Sequence, residues 1–308
     1  MNRRASRIFR RGPRPLLTRP RPVDLAEDLE QARGLDRAIR TISVTVQRVL
    51  RPGPVKDVLH GVPGGHPAHP PLTDLPMGCW ISAAVLDLLP GTQKASRTLV
   101  AAGLAGAVPT ALTGIADWSA LHREQQRVGL VHAMGTASAS LLYTASLVAR
   151  TQGRDGTGRA LGYAGLTALL AGGYLGGHLA FRQAAGASHA DQVAHLVPLG
   201  WHDLCQASEL PDGWPVHRRL GYISLFVLRS GDEIHVLADR CSHLAGPLHQ
   251  GRMVTVDDED DPCVVCPWHG STFRVRDGSV VHGPATGRQP AFESRVQEDG
   301  MVQVRPMG

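Results

Sequence analysis

Four residues in the C-terminal third of the chain have the types and spacing of a metal site. Cys241 is followed two positions later by His243, and Cys266 is followed three positions later by His269. Thiolates and neutral imidazoles are ligands that proteins use for zinc and for iron–sulfur clusters. The two short Cys/His pairs therefore predict one metal centre with two cysteine and two histidine ligands.

Two kinds of metal centre use this set of ligands. The first is a structural zinc site, but such modules usually pair cysteine with cysteine and histidine with histidine, whereas here each pair contains one of each. The second is a [2Fe–2S] cluster in which two thiolates hold one iron and two imidazoles hold the other. Their order and loop context favour the cluster. Neutral imidazoles in place of anionic thiolates would raise its reduction potential.

The segments CSHLAG and CPWHGS, together with GSVVHGPA further along the chain, resemble the Rieske [2Fe–2S] ferredoxin-type domain over residues 193–308. The resemblance implies that Cys241 and Cys266 bind one iron. By the same resemblance His243 and His269 bind the other, and a third, proline-containing loop covers the cluster. Short alternating segments in this region predict antiparallel strands, so we expect an all-β domain.

Departures from the respiratory members of this family narrow the resemblance. Those members carry one further cysteine in each loop, and the two form a disulfide; Gly246 and Trp268 stand at these positions. They also use a serine and a tyrosine as hydrogen-bond donors to sulfur. Ser271 matches the serine, and we expect it to donate to a cluster sulfur, whereas Phe273 replaces the tyrosine. We therefore expect a ferredoxin-like potential, toward the lower end of about −150 to +300 mV.

Four apolar segments precede this domain, each near the roughly 20 residues that cross a bilayer. A soluble, alanine-rich helical domain is the alternative. We favour the membrane because three successive segments have almost no interior charge, although the first contains Asp74 and Asp87. The predicted fold class is a multidomain membrane protein, with a four-transmembrane-helix bundle followed by an all-β Rieske domain. The segments span roughly residues 73–89, 98–116, 128–149 and 160–181.

Composition divides the chain into a basic N-terminal arm and amphipathic segment (1–60), a four-helix transmembrane domain (61–185) and the Rieske domain (193–308). Residues 1–60 hold fourteen Lys and Arg against six Asp and Glu. Such an arm favours the cytoplasmic face of a cell membrane and anionic lipid. Nucleic acid is not an expected partner, because no aromatic residues interleave the arginines. Four spans in a multi-pass protein then make the Rieske domain cytoplasmic too, although the basic residues of the connectors mildly favour the opposite orientation.

Histidines of the helical half are expected at one end of an up-down-up-down bundle. Paired histidines on facing helices can ligate haem, and His132 and His178 are the best placed, with His69 as a third candidate. A haem b or quinone site and a simple role at the head-group boundary both remain open, because no haem-attachment motif is present. Residues 57–185 also resemble an uncharacterised bacterial four-helix membrane family, through HPAHPPLTDLPMG and GGHL.

These features predict a membrane-anchored electron carrier rather than a stand-alone enzyme, with a redox partner protein or quinone as its partner. An electron-supplying component of an oxygenase system is one alternative, since no mononuclear iron domain is expected after the second loop. A redox sensor is the other. The acidic run at 257–261 is expected to be a solvated hairpin tip, with a docking patch for a basic partner as the alternative. Cys263 is expected to be structural.

Overall fold

The computed structural model of the chain describes residues 21–256 and 261–307. The first part of the described chain is helical, and the second part consists of strands and loops. Most of the arginine-rich arm and most of the acidic run fall outside the described residues. The expectations for these two segments therefore remain predictions.

Seven α-helices form within the described residues, and the last four overlap the four predicted apolar segments. Each of these four begins or ends in a polar turn beyond its apolar stretch, which shortens the connectors. The helices are α1 (Pro22–Glu30), α2 (Asp36–Val49), α3 (Pro54–His60), α4 (His69–Leu86), α5 (Gln93–Ser119), α6 (Arg123–Thr151) and α7 (Asp155–Gly177), which continues as a π-helical turn over His178–Arg182.

Two helical segments of the described chain are long and apolar enough to cross a membrane, namely Gln93–Ser119 and Asp155–Arg182. The two remaining helices of the predicted bundle, α4 and α6, do not meet the same requirement. α4 has 18 residues and includes Asp74, and α6 begins with the polar turn Arg123–Arg127. Length and composition therefore support two of the four predicted spans.

The centre of the helical part is an aromatic stack between α4 and α6. The rings of Trp80 and Tyr143 lie 4.2 Å apart and are nearly parallel, and both side chains are buried. Gly103 of α5 lies directly against the Trp80 ring, where a Cβ would be 2.3 Å from its Nε1. The missing side chain of Gly103 is therefore what lets α5 approach α4 closely.

Gly103→Ala is expected to destabilise the helical part by about 1–3 kcal/mol, because the new methyl group would overlap a fully packed indole ring. Thermal unfolding of the detergent-solubilised chain, followed by circular dichroism, measures the change. Gly173→Ala is the matched control, because Gly173 lies in α7 and a Cβ there meets no atom within 4 Å. Equal melting temperatures for the two variants would contradict this description of the packing.

The amphipathic segment before the bundle packs on the bundle. Ala26 of α1 and Ile39 of α2 are fully buried. The Arg127 guanidinium of α6 donates to both carboxylate oxygens of Asp36, at 2.7 and 2.9 Å, and to the Glu30 carbonyl oxygen at 2.7 Å. We expected these helices to lie on a surface, and the structure gives them an apolar contact with α6 in addition.

The β-domain contains two antiparallel sheets. Its six-stranded sheet has the order β1-β10-β9-β4-β3-β2, and its four-stranded sheet has the order β5-β6-β7-β8. The predicted alternating segments lie within β3, β4 and β10, which confirms the all-β assignment. The strands are β1 (His202–Gln206), β2 (Val216–Leu220), β3 (Ile223–Ser230), β4 (Glu233–Ala238), β5 (Arg252–Thr255), β6 (Pro262–Val265), β7 (Thr272–Arg274), β8 (Val280–His282), β9 (Ala291–Val296) and β10 (Met301–Pro306).

Candidate metal centre

Two tight loops carry the predicted ligands. The first follows β4 and is closed by hydrogen bonds from the Cys241 N–H to the Gly246 carbonyl and from the Ala245 N–H to the Cys241 carbonyl, at 2.9 and 2.8 Å. The second joins β6 to β7, and the Cys266 N–H donates to the Ser271 carbonyl at 2.8 Å. The loops are thus fixed by their own backbone before any metal binds.

The loops bring the four side chains together. The rings of His243 and His269 lie 5.0 Å apart and are nearly perpendicular. Cys241 and Cys266 are almost completely buried, and their thiols are hydrogen-bonded to each other. Two sulfur ligands and two imidazole ligands therefore occupy one place, as the spacing in the sequence predicted.

The protonation of these groups suits a metal. Burial lowers the pKa of His243 well below its usual value, and burial lowers the pKa of His269 to about 4. The hydrogen bond with Cys241 lowers the pKa of Cys266 to about 7. The Nδ1 atom of His243 is buried and has no hydrogen-bond partner, which is unfavourable unless a metal ion takes its lone pair. The donor set therefore fits a [2Fe–2S] cluster with two neutral imidazoles.

Ser271 lies beneath the second loop and is fully buried. Its hydroxyl oxygen accepts a hydrogen bond from the Ala285 N–H of the third loop at 2.9 Å, and its own proton stays available as a donor. The Gln289 side chain joins the third loop to the first, because its oxygen accepts from the Ser242 N–H at 2.9 Å. The predicted donation from Ser271 to a cluster sulfur remains a prediction.

Gly246 and Trp268 face each other across the two loops. A Cβ on Gly246 would lie 3.2 Å from the Trp268 ring and 2.8 Å from the Cys266 sulfur. These are the two positions that hold the disulfide cysteines in the respiratory proteins. Here the indole ring covers the space instead, and Phe273 is buried in the core behind the loops.

The helical part contributes residues to this centre that the sequence analysis missed. Asp57 of α3 accepts hydrogen bonds from the Gly283 N–H at 2.9 Å and from His282 Nδ1 at 2.8 Å. The His122 ring, at the start of α6, lies 5.6 Å from the His269 ring. The end of the bundle that carries histidines therefore faces the metal centre. No local pattern marks these contacts, because they join positions far apart in the chain.

Asp57→Ala is expected to loosen the third loop, because the buried Gly283 N–H would lose its acceptor at a cost of about 1–3 kcal/mol. Hydrogen–deuterium exchange of residues 278–287 should accelerate about tenfold or more in the variant. Asp212→Ala is the control, since Asp212 also accepts from a backbone amide, that of Gly231, but in an exposed hairpin. Unchanged protection in the Asp57 variant would refute the role of this carboxylate.

The three membrane histidines do not form one group. His69 and His132 lie together, with ring centroids 6.4 Å apart, and their Nδ1 atoms contact the carbonyl oxygens of Thr110 and Gly172 at 2.9 and 2.7 Å. His178 instead contacts a Glu30 carboxylate oxygen through Nε2, at 2.7 Å. The predicted pairing of His132 with His178 is therefore replaced in the structure by a pairing of His132 with His69.

An all-β domain with two converging Cys/His loops defines a class of iron–sulfur proteins, and comparison with known families agrees. Residues 200–293 match the family described as Rieske [2Fe-2S] domain, and residues 65–189 match the family described as predicted membrane protein (DUF2231). The chain therefore belongs to the Rieske family through its C-terminal part, joined to a DUF2231 domain. A Rieske domain implies a [2Fe–2S] cluster.

Individual relatives match only the C-terminal part. Ferredoxin CarAc of Metapseudomonas resinovorans is 32% identical over 100 residues, or 32% of this chain and 87% of that protein. The anthranilate 1,2-dioxygenase ferredoxin subunit of Burkholderia cepacia is 32% identical over 104 residues, or 34% of this chain and 90% of that protein. The solved ferredoxin of carbazole 1,9a-dioxygenase from Nocardioides aromaticivorans IC177 is 23% identical, covers 35% of this chain and 98% of its own, and has a TM-score of 0.31.

Proposed function

We propose that the chain is a membrane-anchored electron carrier whose [2Fe–2S] cluster is held by Cys241, His243, Cys266 and His269. The observation that carries this proposal is the convergence of two buried thiols and two imidazoles, with the unpartnered Nδ1 of His243 among them. When bound, the cluster takes up and releases one electron at a time. The protein's own contribution is to fix the ligands on two closed loops and to keep the imidazoles neutral.

Exposed apolar surface supports the membrane anchor. Only 28% of the most apolar stretch of α5 and 22% of that of α7 is buried, whereas the core helix of a soluble protein is mostly buried. Leu141 of α6 and Val85 of α4 are also largely exposed. Apolar side chains on all four helices would be unfavourable in water. We therefore propose a four-helix transmembrane domain over 61–185, with the Rieske domain over 193–308 on its cytoplasmic side.

Protease accessibility tests this orientation. In inverted membrane vesicles, added protease is expected to remove the Rieske domain, while in right-side-out vesicles the domain should survive. The reverse pattern would place the domain on the other side of the membrane. Protein-film voltammetry tests the redox class, and we expect a potential toward the lower end of the Rieske range of about −150 to +300 mV.

An electron-supplying role in an oxygenase system is the second candidate function. It is favoured by the two relatives above, one of which is named as the ferredoxin subunit of a dioxygenase. Stopped-flow mixing of the reduced chain with oxygenase components or with quinone distinguishes the two candidate roles by which acceptor oxidises the chain rapidly. A redox sensor would show no rapid oxidation by either. A haem b or quinone that exchanges electrons with the cluster in the helical part remains within the proposal.

A further inference from the structure

A cavity of about 210 Å³ lies between the helical part and the β-domain, beside the candidate metal centre. His60 and Asp117 line it from the helical side, and Ser242 and His243 line it from the first cluster loop. Leu121 is one of several apolar residues that complete its wall. The cavity therefore joins a polar group on the helices to a predicted ligand of the cluster.

His60 is the polar group whose hydrogen bonding is incomplete. Its side chain is 1% exposed, and its Nδ1 lies 2.7 Å from an Asp117 carboxylate oxygen. Because a carboxylate only accepts, Nδ1 carries the proton and Nε2 keeps a lone pair. Nε2 is buried and has no partner. In the comparable pair of His249 with Asp239, by contrast, the outer nitrogen lies 3.3 Å from the Gln250 amide nitrogen.

A ligand that completes this site needs a hydroxyl donor and a small apolar body. A cavity of about 150 Å³ accommodates benzene, so the volume here holds one substituted aromatic ring. We propose that the cavity binds the hydroxylated ring of a hydroquinone, with one hydroxyl donating to His60 Nε2 and the ring beside His243. This inference rests on the proposed function, and it locates the quinone site at the domain boundary and away from His69, His132 and His178.

Resorcinol is the probe for this site, because its two hydroxyl groups donate as those of a hydroquinone do but their meta positions prevent oxidation to a quinone. Isothermal titration of the full-length, cluster-containing chain in detergent should show one resorcinol bound per chain. Its dimethyl ether, 1,3-dimethoxybenzene, has the same ring without donors and should bind at least about tenfold more weakly. Equal binding of the two compounds would overturn the proposal.

Two variants locate the binding. His60→Phe removes the acceptor, and Leu121→Trp fills the cavity while keeping His60; each should weaken resorcinol binding at least about tenfold. His249→Gln is the control, because that histidine also pairs with an aspartate but does not line the cavity, and its affinity should equal that of the wild type. Wild-type affinity in Leu121→Trp would overturn the proposal even if His60→Phe did not fold.

The cluster gives a separate readout. An electron paramagnetic resonance signal from the reduced chain without resorcinol binding would overturn the hydroquinone site and leave the proposed carrier intact. Loss of that signal in the wild-type chain would overturn the carrier instead.

Discussion

Cys266→Ser is expected to abolish the cluster, so that the purified variant contains less than a tenth of the wild-type iron and lacks its visible absorption. The thiol of Cys266 is buried beside Cys241, and a serine hydroxyl at this position would be neutral. Iron–sulfur clusters are held by thiolates, and one loop would supply no sulfur. Iron determination and the absorption spectrum of the purified full chain measure the effect.

Cys263→Ser is the matched control for this variant. Cys263 lies three positions before Cys266 and is equally buried, and its thiol donates to the Asp261 carbonyl oxygen at 3.7 Å. A serine keeps a donor at that position, so iron content should stay at the wild-type level. Loss of iron in Cys263→Ser with retention in Cys266→Ser would show that the ligands are assigned wrongly.

Asp87→Ala is expected to destabilise the helical part by about 3–5 kcal/mol, because it would leave the Arg150 charge buried without its partner. The two side chains are 4% and 1% exposed, and they form a two-pronged ion pair at 2.5 and 2.9 Å. Ser96 donates to the same carboxylate at 2.7 Å. Thermal unfolding in detergent, followed by helical circular dichroism, measures the loss.

Glu293→Ala is the control for the buried pair. Glu293 accepts from Arg305 at 2.6 Å, but both side chains are at least 40% exposed, so their ion pair contributes about 1 kcal/mol or less. The Asp87 variant should therefore unfold at a clearly lower temperature than the Glu293 variant. Comparable melting temperatures would mean that the Asp87 carboxylate is not needed to neutralise Arg150.

The ligand loops were predictable from the sequence because their chemistry is local. Cys241 and His243 lie in one turn, as do Cys266 and His269, and the hydrogen bonds within each turn set the geometry. The glycine of the first loop, Gly246, was also informative, since its place against Trp268 agrees with the missing disulfide. Residue types, short spacings and loop context were sufficient for this part of the site.

The contribution of the helical part was not predictable in the same way. Asp57 meets Gly283 across 226 positions of the chain, and His60 meets Asp117 across 57. A single aspartate in an amphipathic helix has no local mark that distinguishes a buried acceptor from a solvated side chain. The docking of α1 and α2 on α6 depends likewise on the long-range contact between Arg127 and Asp36.

The membrane histidines illustrate the limit of topology alone. An up-down-up-down order predicts which residues share one end of a bundle, but rotation of each helix about its axis decides which rings meet. His132 meets His69, while His178 reaches Glu30 of α1, a helix outside the predicted bundle. Asp87 is similar: it counted against the first predicted span, and the structure neutralises it with Arg150.

The most direct test of the central claim is electron paramagnetic resonance of dithionite-reduced membranes from cells that express the full chain, after washing with alkaline carbonate. A membrane-anchored Rieske protein predicts a rhombic [2Fe–2S] signal that stays in the washed membrane pellet and is absent from pellets of the Cys266→Ser variant. A signal found only in the soluble fraction would contradict the anchor. Membranes that contain the chain without this signal would contradict the cluster.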